Sequence, residues 1–160
     1  MRIAAIILVT LVATSASAQV AGIARLDAER AQAIVAGCAA HAKAKQQGHA
    51  VAVVDKGGHL VASLRMDGNG WGIMQFAQAK AEAVAAWGFR TSQMTEAIKE
   101  TPGFANAPKV VTVGGGVPVW SADGKTRIGG VGVSGEAPAD DEACAVAGIE
   151  AAGLKAARVR

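Results

Sequence analysis

The sequence predicts an α+β domain in which a five-stranded antiparallel sheet is flanked by helices, in the order α-ββ-αα-βββ-α. Three observations predict it. Val-rich strand patterns cluster at 49–66 and 110–134 and are punctuated by glycine or Asp-Gly turns. Each step from strand to strand within a cluster is too short for a helical crossover, so neighbouring strands run antiparallel. Ala-rich stretches of helical spacing lie before, between and after the clusters.

The elements follow in order. Asp27 suits a helix N-cap, and Glu29 sits favourably in the first turn. The helix runs to Gln47 and stops at Gly48, with Ile34, Cys38 and His41 on one core-facing stripe. A hairpin over 49–55 and 58–66 turns at Lys56-Gly57-Gly58. Val51, Val53 and Val54 put apolar groups on both faces of its first strand, as in a strand covered on both sides. His49 begins that strand and is expected to be exposed. A loop at Asp67-Gly68-Asn69-Gly70 leads to a helix over 73–87, ended by Gly88. Lys80 lies on that helix's apolar stripe with Ile73, Phe76, Ala77, Val84 and Trp87. A short helix capped by Thr91 or Ser92 runs to about Lys99 and breaks at Pro102. Strands are expected at 110–113, 117–120 and 127–134, joined by a Gly114-Gly115-Gly116 turn and an Asp123-Gly124 turn. The last helix opens on Asp140-Asp141-Glu142, acids that suit its positive end.

Residues 1–18 read as a secretory signal peptide. Arg2 is its basic start, 3–12 its apolar segment, and Ser15-Ala16-Ser17-Ala18 its cleavage region. The apolar run is shorter than the ~20 residues a membrane span needs. No later stretch is long and apolar enough either. Residues 19–160 are then one exported domain, periplasmic or extracellular. Removing Arg2 lowers the formal charge from +3 to +2. With no basic stripe, no interleaved aromatics and no tyrosine, nucleic acid is excluded as a partner. Cys38 and Cys144 are either a disulfide or two buried thiols. They can pair only if the first and last helices lie side by side.

The chemistry-bearing residues are few. The triple glycine precedes a strand rather than a helix, so it lacks the setting of a phosphate loop. It is either a hairpin turn or backbone exposed to a flat ligand. Gly130 and Gly132 leave one strand face bare, for a helix or for a planar molecule. His41, His49 and His59 share no metal-site spacing. Imidazole is nevertheless the usual axial partner of haem iron. Arg65 forms an ion pair with Asp67, or else binds a carboxylate such as a haem propionate. No nucleophile–base pair suggests a hydrolase.

Several motifs together resemble the GlcG/HbpS-like haem-binding proteins. They are "AVVDKGGHLVASLRMDG" (52–68), "AQAKAEAVAAWG" (77–88), "VVTVGGGVPV" (110–119), "IGGVGVSG" (128–135) and "DEACAVAG" (141–148). The resemblance spans about 27–154, and "EAPADDEAC" departs from the family's more glycine- or glutamine-rich run. It implies a five-stranded sheet flanked by helices, a homo-oligomer, and a haem-binding, haem-sensing or haem-degrading role. Without a C-x-x-C-H motif, such haem is held non-covalently. The resemblance makes His59, Arg65, Asp67 and Lys80, with Gly114, Gly115, Gly116, Gly130 and Gly132, candidates for the lining of a cleft. His41 is the preferred axial ligand, on a fixed helical backbone among apolar neighbours. Two other functions compete. Lys80, desolvated, could form a Schiff base with a small aldehyde or act on a hydroxy acid; its alternative is a lysine paired with a buried acid. Or the chain is an accessory subunit whose glycine faces serve assembly.

Overall fold

A computed structural model describes residues 24–159. The segment read above as a signal peptide, residues 1–18, lies outside the described residues. Four helices and four strands follow in the order α1 (Ala28–Lys45), β1 (Ala50–Asp55), β2 (Leu60–Arg65), α2 (Trp71–Trp87), α3 (Thr91–Glu100), β3 (Gly116–Trp120), β4 (Arg127–Ser134) and α4 (Pro138–Ala151). A short 3-10 helix, Pro102–Asn106, follows α3.

The sheet is antiparallel, as expected, with the order β2-β1-β4-β3. It has four strands rather than five. The expected strand at 110–113 is irregular chain. Its Thr112 carbonyl accepts the Thr95 hydroxyl of α3 at 2.9 Å instead of joining a ladder. The triple glycine is therefore not a hairpin turn. At Gly115 (φ +118°) the carbonyl already accepts Val133 N–H at 2.9 Å, so the chain enters β3 along the β4 ladder.

The two faces of the sheet are covered differently. On one, Val51, Val53, Val131 and Val133 meet Ile34 and Cys38 of α1 and Cys144 and Ile149 of α4. Each fully buried aliphatic side chain there contributes about 1.5–3 kcal/mol. On the other, Ala50, Ala52 and Val54 meet Ala77, Ala81 and Ala85 of α2. Thus β1 and the interior of β4 are buried on both sides. The bare face of β4 seats α2: a Cβ on Gly132 would overlap the Ala77 carbonyl, and one on Gly130 would lie 2.8 Å from the Ala81 carbonyl. No planar ligand has room there.

Helices α1 and α4 pack side by side, and a disulfide joins Cys38 to Cys144 with Cα atoms 4.8 Å apart. The capping details depart from the sequence reading. Asp27 caps α1 as expected, accepting Arg30 N–H at 2.8 Å. The helix ends at Gln46 in the left-handed region rather than at Gly48. Arg90, not Thr91 or Ser92, is the N-cap of α3. Thr91 is buried, and its hydroxyl accepts Gly116 N–H at 2.9 Å. No helix of the described residues is long and apolar enough to cross a membrane.

Candidate functional site

Where β1 and β3 begin and β4 ends, the protein buries a charged cluster. Lys80 projects inward from α2, Asp141 from the first turns of α4, and His49 from the residue before β1. The Lys80 Nζ donates to Asp141 Oδ2 at 3.0 Å and to the Val133 carbonyl at 2.8 Å. The His49 Nδ1–H donates to Asp141 Oδ1 at 3.0 Å. Glu136 N–H adds a third donor to that carboxylate, at 3.1 Å. The Phe76 ring lies 4.9 Å from the ammonium. A Cβ on Gly115 would come within 2.8 Å of Lys80 Nζ, so glycine lets the backbone close over the cluster.

Burial raises the Asp141 carboxyl, but the His49, Lys80 and Glu136 donors outweigh it and hold the group below the usual carboxylate range. Burial pulls the Lys80 ammonium below the usual lysine range, and Asp141 opposes that pull. The three consecutive acids point in three directions. Asp140 is half-buried, Asp141 enters the cluster, and Glu142 pairs with Arg90 at 2.7 Å. Asp141 was missed because helix-dipole chemistry accounts for an acid in a first turn without a partner. His49 was missed because its strand-end position suggests exposure, yet it is fully buried. Lys80 is the lysine paired with a buried acid. Its side chain is 1% exposed, so no aldehyde reaches its nitrogen without opening the core.

The other candidates do not join this cluster. His41 is half-buried on α1 and has no hydrogen-bond partner among the described residues. His59 is exposed in the β1–β2 turn, with Nδ1 3.2 Å from Asp55 Oδ1. Arg65 donates to the Asn69 carbonyl at the far end of β2 and makes no ion pair with the exposed Asp67. Gly116 starts β3, and Gly130 and Gly132 lie under α2. Gly114 alone reaches an open cavity. This groove of about 890 Å³ runs between α3, the glycine segment and α4. Its floor is apolar, with Val113, Ala139, Ala143 and Val146, and its rim carries Arg90, Glu96, Glu142 and Glu150. The floor suits the apolar face of a porphyrin. No histidine, cysteine, methionine or tyrosine lines it, so the groove supplies none of the usual protein ligands to haem iron. Among the described residues no group of three or more His, Cys, Asp or Glu could hold a metal ion.

A four-stranded antiparallel sheet between α1/α4 and α2, pinned by a buried Lys–Asp–His cluster, defines the class of domain. The chain belongs to the HbpS-like family: the model described as "Haem degrading protein HbpS-like" matches residues 26–150. Among solved structures it resembles HbpS at 26% identity and TM-score 0.73, covering 82% of this chain and 93% of that one. A double mutant of HbpS from Streptomyces reticuli matches at 25% identity and TM-score 0.73, covering 89% and 97%. A PduOC:haem complex shares the fold at 24% identity and TM-score 0.75, covering 84% of this chain and all of that one. No curated protein gives a significant match.

Proposed function

We propose that this is an exported protein that binds haem non-covalently, with His41 as the axial ligand. The match to the haem-degrading HbpS-like family over 26–150 carries the reading. The likeness to HbpS adds to it, and PduOC, which shares the fold, was solved with haem bound. His41 is preferred over His49, which is fully buried with Nδ1 on Asp141, because His41 keeps both ring nitrogens free among the described residues. His59 stands as the alternative ligand, since its Nδ1 contact with Asp55 leaves Nε2 available to iron. The Cys38–Cys144 disulfide supports export, because such bonds persist in oxidising compartments.

An absorbance titration of residues 19–160 with haem tests this, run beside His41→Ala and Val146→Glu. A saturating Soret shift lost in His41→Ala supports the assignment. A shift kept in His41→Ala but lost in Val146→Glu moves haem into the groove and removes His41. A non-saturating response refutes haem binding. Loss of the Soret band under a reductant and oxygen separates a degrading role from binding or sensing.

A further inference from the structure

Helix α4 is apolar on two opposite sides. Cys144, Ala145 and Ile149 are buried in the core against α1 and β4. Ala139, Ala143, Val146 and Ala147 share the other side by helical spacing, and they floor the open groove between α4 and α3. A surface helix ordinarily turns polar and charged residues to that side. Here the stripe stays apolar until Glu150. From Ala139 to Ala147 it runs about 12 Å at 1.5 Å per residue. The groove, at about 890 Å³, falls in the size range of a site for one small molecule.

The charges around this groove are lopsided. Arg90 and Glu142 hold each other at 2.7 Å and cancel. Glu96 lies further along α3 and Glu150 further along α4, so both acids stand away from that pair. The Lys99 partner of Glu96 is two-thirds exposed, as Glu96 is, and water screens their attraction. Glu150 has no ion pair among the described residues. It also sits in the last turn of α4, at the negative end of the helix, and no basic residue of that turn offsets it. An acid placed there gains nothing from its own helix. It gains from a positive charge in the groove.

We propose that the groove between α3 and α4 binds an organic cation with an apolar body, an alkyl- or arylalkylammonium. The apolar body lies along Ala139, Ala143, Val146 and Ala147, and the ammonium stands at Glu150, with Glu96 adding to the attraction from the facing helix. The same acids repel carboxylates, so the rim disfavours haem propionates. This site is separate from the haem site proposed at His41, which does not line the groove.

Calorimetric titration of haem-free residues 19–160 with octyltrimethylammonium and with octanesulfonate tests the proposal, because the two probes share a tail and differ in charge. The cation is expected to bind about tenfold more tightly, a preference that narrows in high salt. Glu150→Gln should reduce the preference to about threefold. Ala143→Lys puts a long, like-charged side chain on the floor and should abolish binding of the cation. Ala143 is exposed, so this variant should melt as the wild type does when followed by circular dichroism. His41→Ala should bind the cation unchanged, which separates a failure of this site from a failure of the haem site. Equal affinity for the two probes overturns the proposal, as does absence of cation binding. So does a preference that Glu150→Gln leaves unchanged, or cation binding that survives Ala143→Lys.

Discussion

Among the described residues, two histidine–aspartate pairs share nearly the same geometry in opposite circumstances. His49 and Asp141 meet at 3.0 Å with side chains 0% and 2% exposed. His59 and Asp55 meet at 3.2 Å with side chains 82% and 39% exposed. Distance therefore says little about what each pair does. Around the exposed pair, water and salt screen the attraction, and losing either partner leaves the other solvated. Around the buried pair, every charge must be answered inside the protein, and Lys80, Val133 and Glu136 answer it. The buried pair fixes α2, α4 and the start of β1 to one another; the exposed pair shapes a turn.

The largest expected effect comes from stranding a charge in the buried cluster. Lys80→Met leaves Asp141 without its ammonium and should lower unfolding stability by about 3–5 kcal/mol in a denaturant titration. Adding Asp141→Asn should recover part of that loss, since the stranded charge goes with it. Acid probes the same carboxylate. Its folded-state pKa lies below the ordinary value of about 3.9, so its contribution is fully present above that value. The contribution disappears as pH falls through the lower, folded-state pKa. The melting temperature of the wild type should fall in that acid range, and Asp141→Asn should lose this component of the fall. A slope there unchanged by Asp141→Asn would mean the cluster does not store the stability assigned to it.

The Cys38–Cys144 link is next. It closes a sequence separation of 106 residues, for which the loop-entropy relation gives about 4.7 kcal/mol and native proteins typically show about 2–5. Reduced protein, or Cys38→Ala with Cys144→Ala, should lose stability in that range while keeping its far-UV spectrum. Gly132→Ala follows at about 1–3 kcal/mol, because the added methyl drives α2 off the sheet. If Gly132→Ala instead weakened haem binding and left stability unchanged, the bare strand face would be a ligand floor after all.

These sites also show how far the sequence could be read. The helices, the first hairpin and the Asp-Gly turn carry local signals, since capping, period and turn chemistry act within a few residues. Val51, Val53 and Val54 showed that β1 is covered on both sides before its neighbours were known. The expected strand at 110–113 failed because Val-rich composition reports a preference for extended chain, not a free partner. Here Thr112 bonds to α3 instead. Asp141 and His49 were not legible because their partners lie 92 residues apart, and each has a sufficient local explanation as a helix-start acid or a strand-end imidazole. Lys80 was visible as an anomaly, a charge on an apolar stripe. An anomaly of that kind shows that a partner is needed without identifying it.

The smallest effect should come from the exposed pair. His59→Ala removes the imidazole but leaves Asp55 Oδ1 accepting Gly57 N–H at 2.8 Å and the residue 59 N–H at 3.0 Å, so the turn keeps its internal bonds. The expected loss is about 0–1 kcal/mol, shrinking further in high salt. A urea titration at fixed chain concentration, with and without added salt, measures it. A loss comparable to that of Lys80→Met would break the comparison. It would mean that the β1–β2 turn is buried in the working protein rather than solvated.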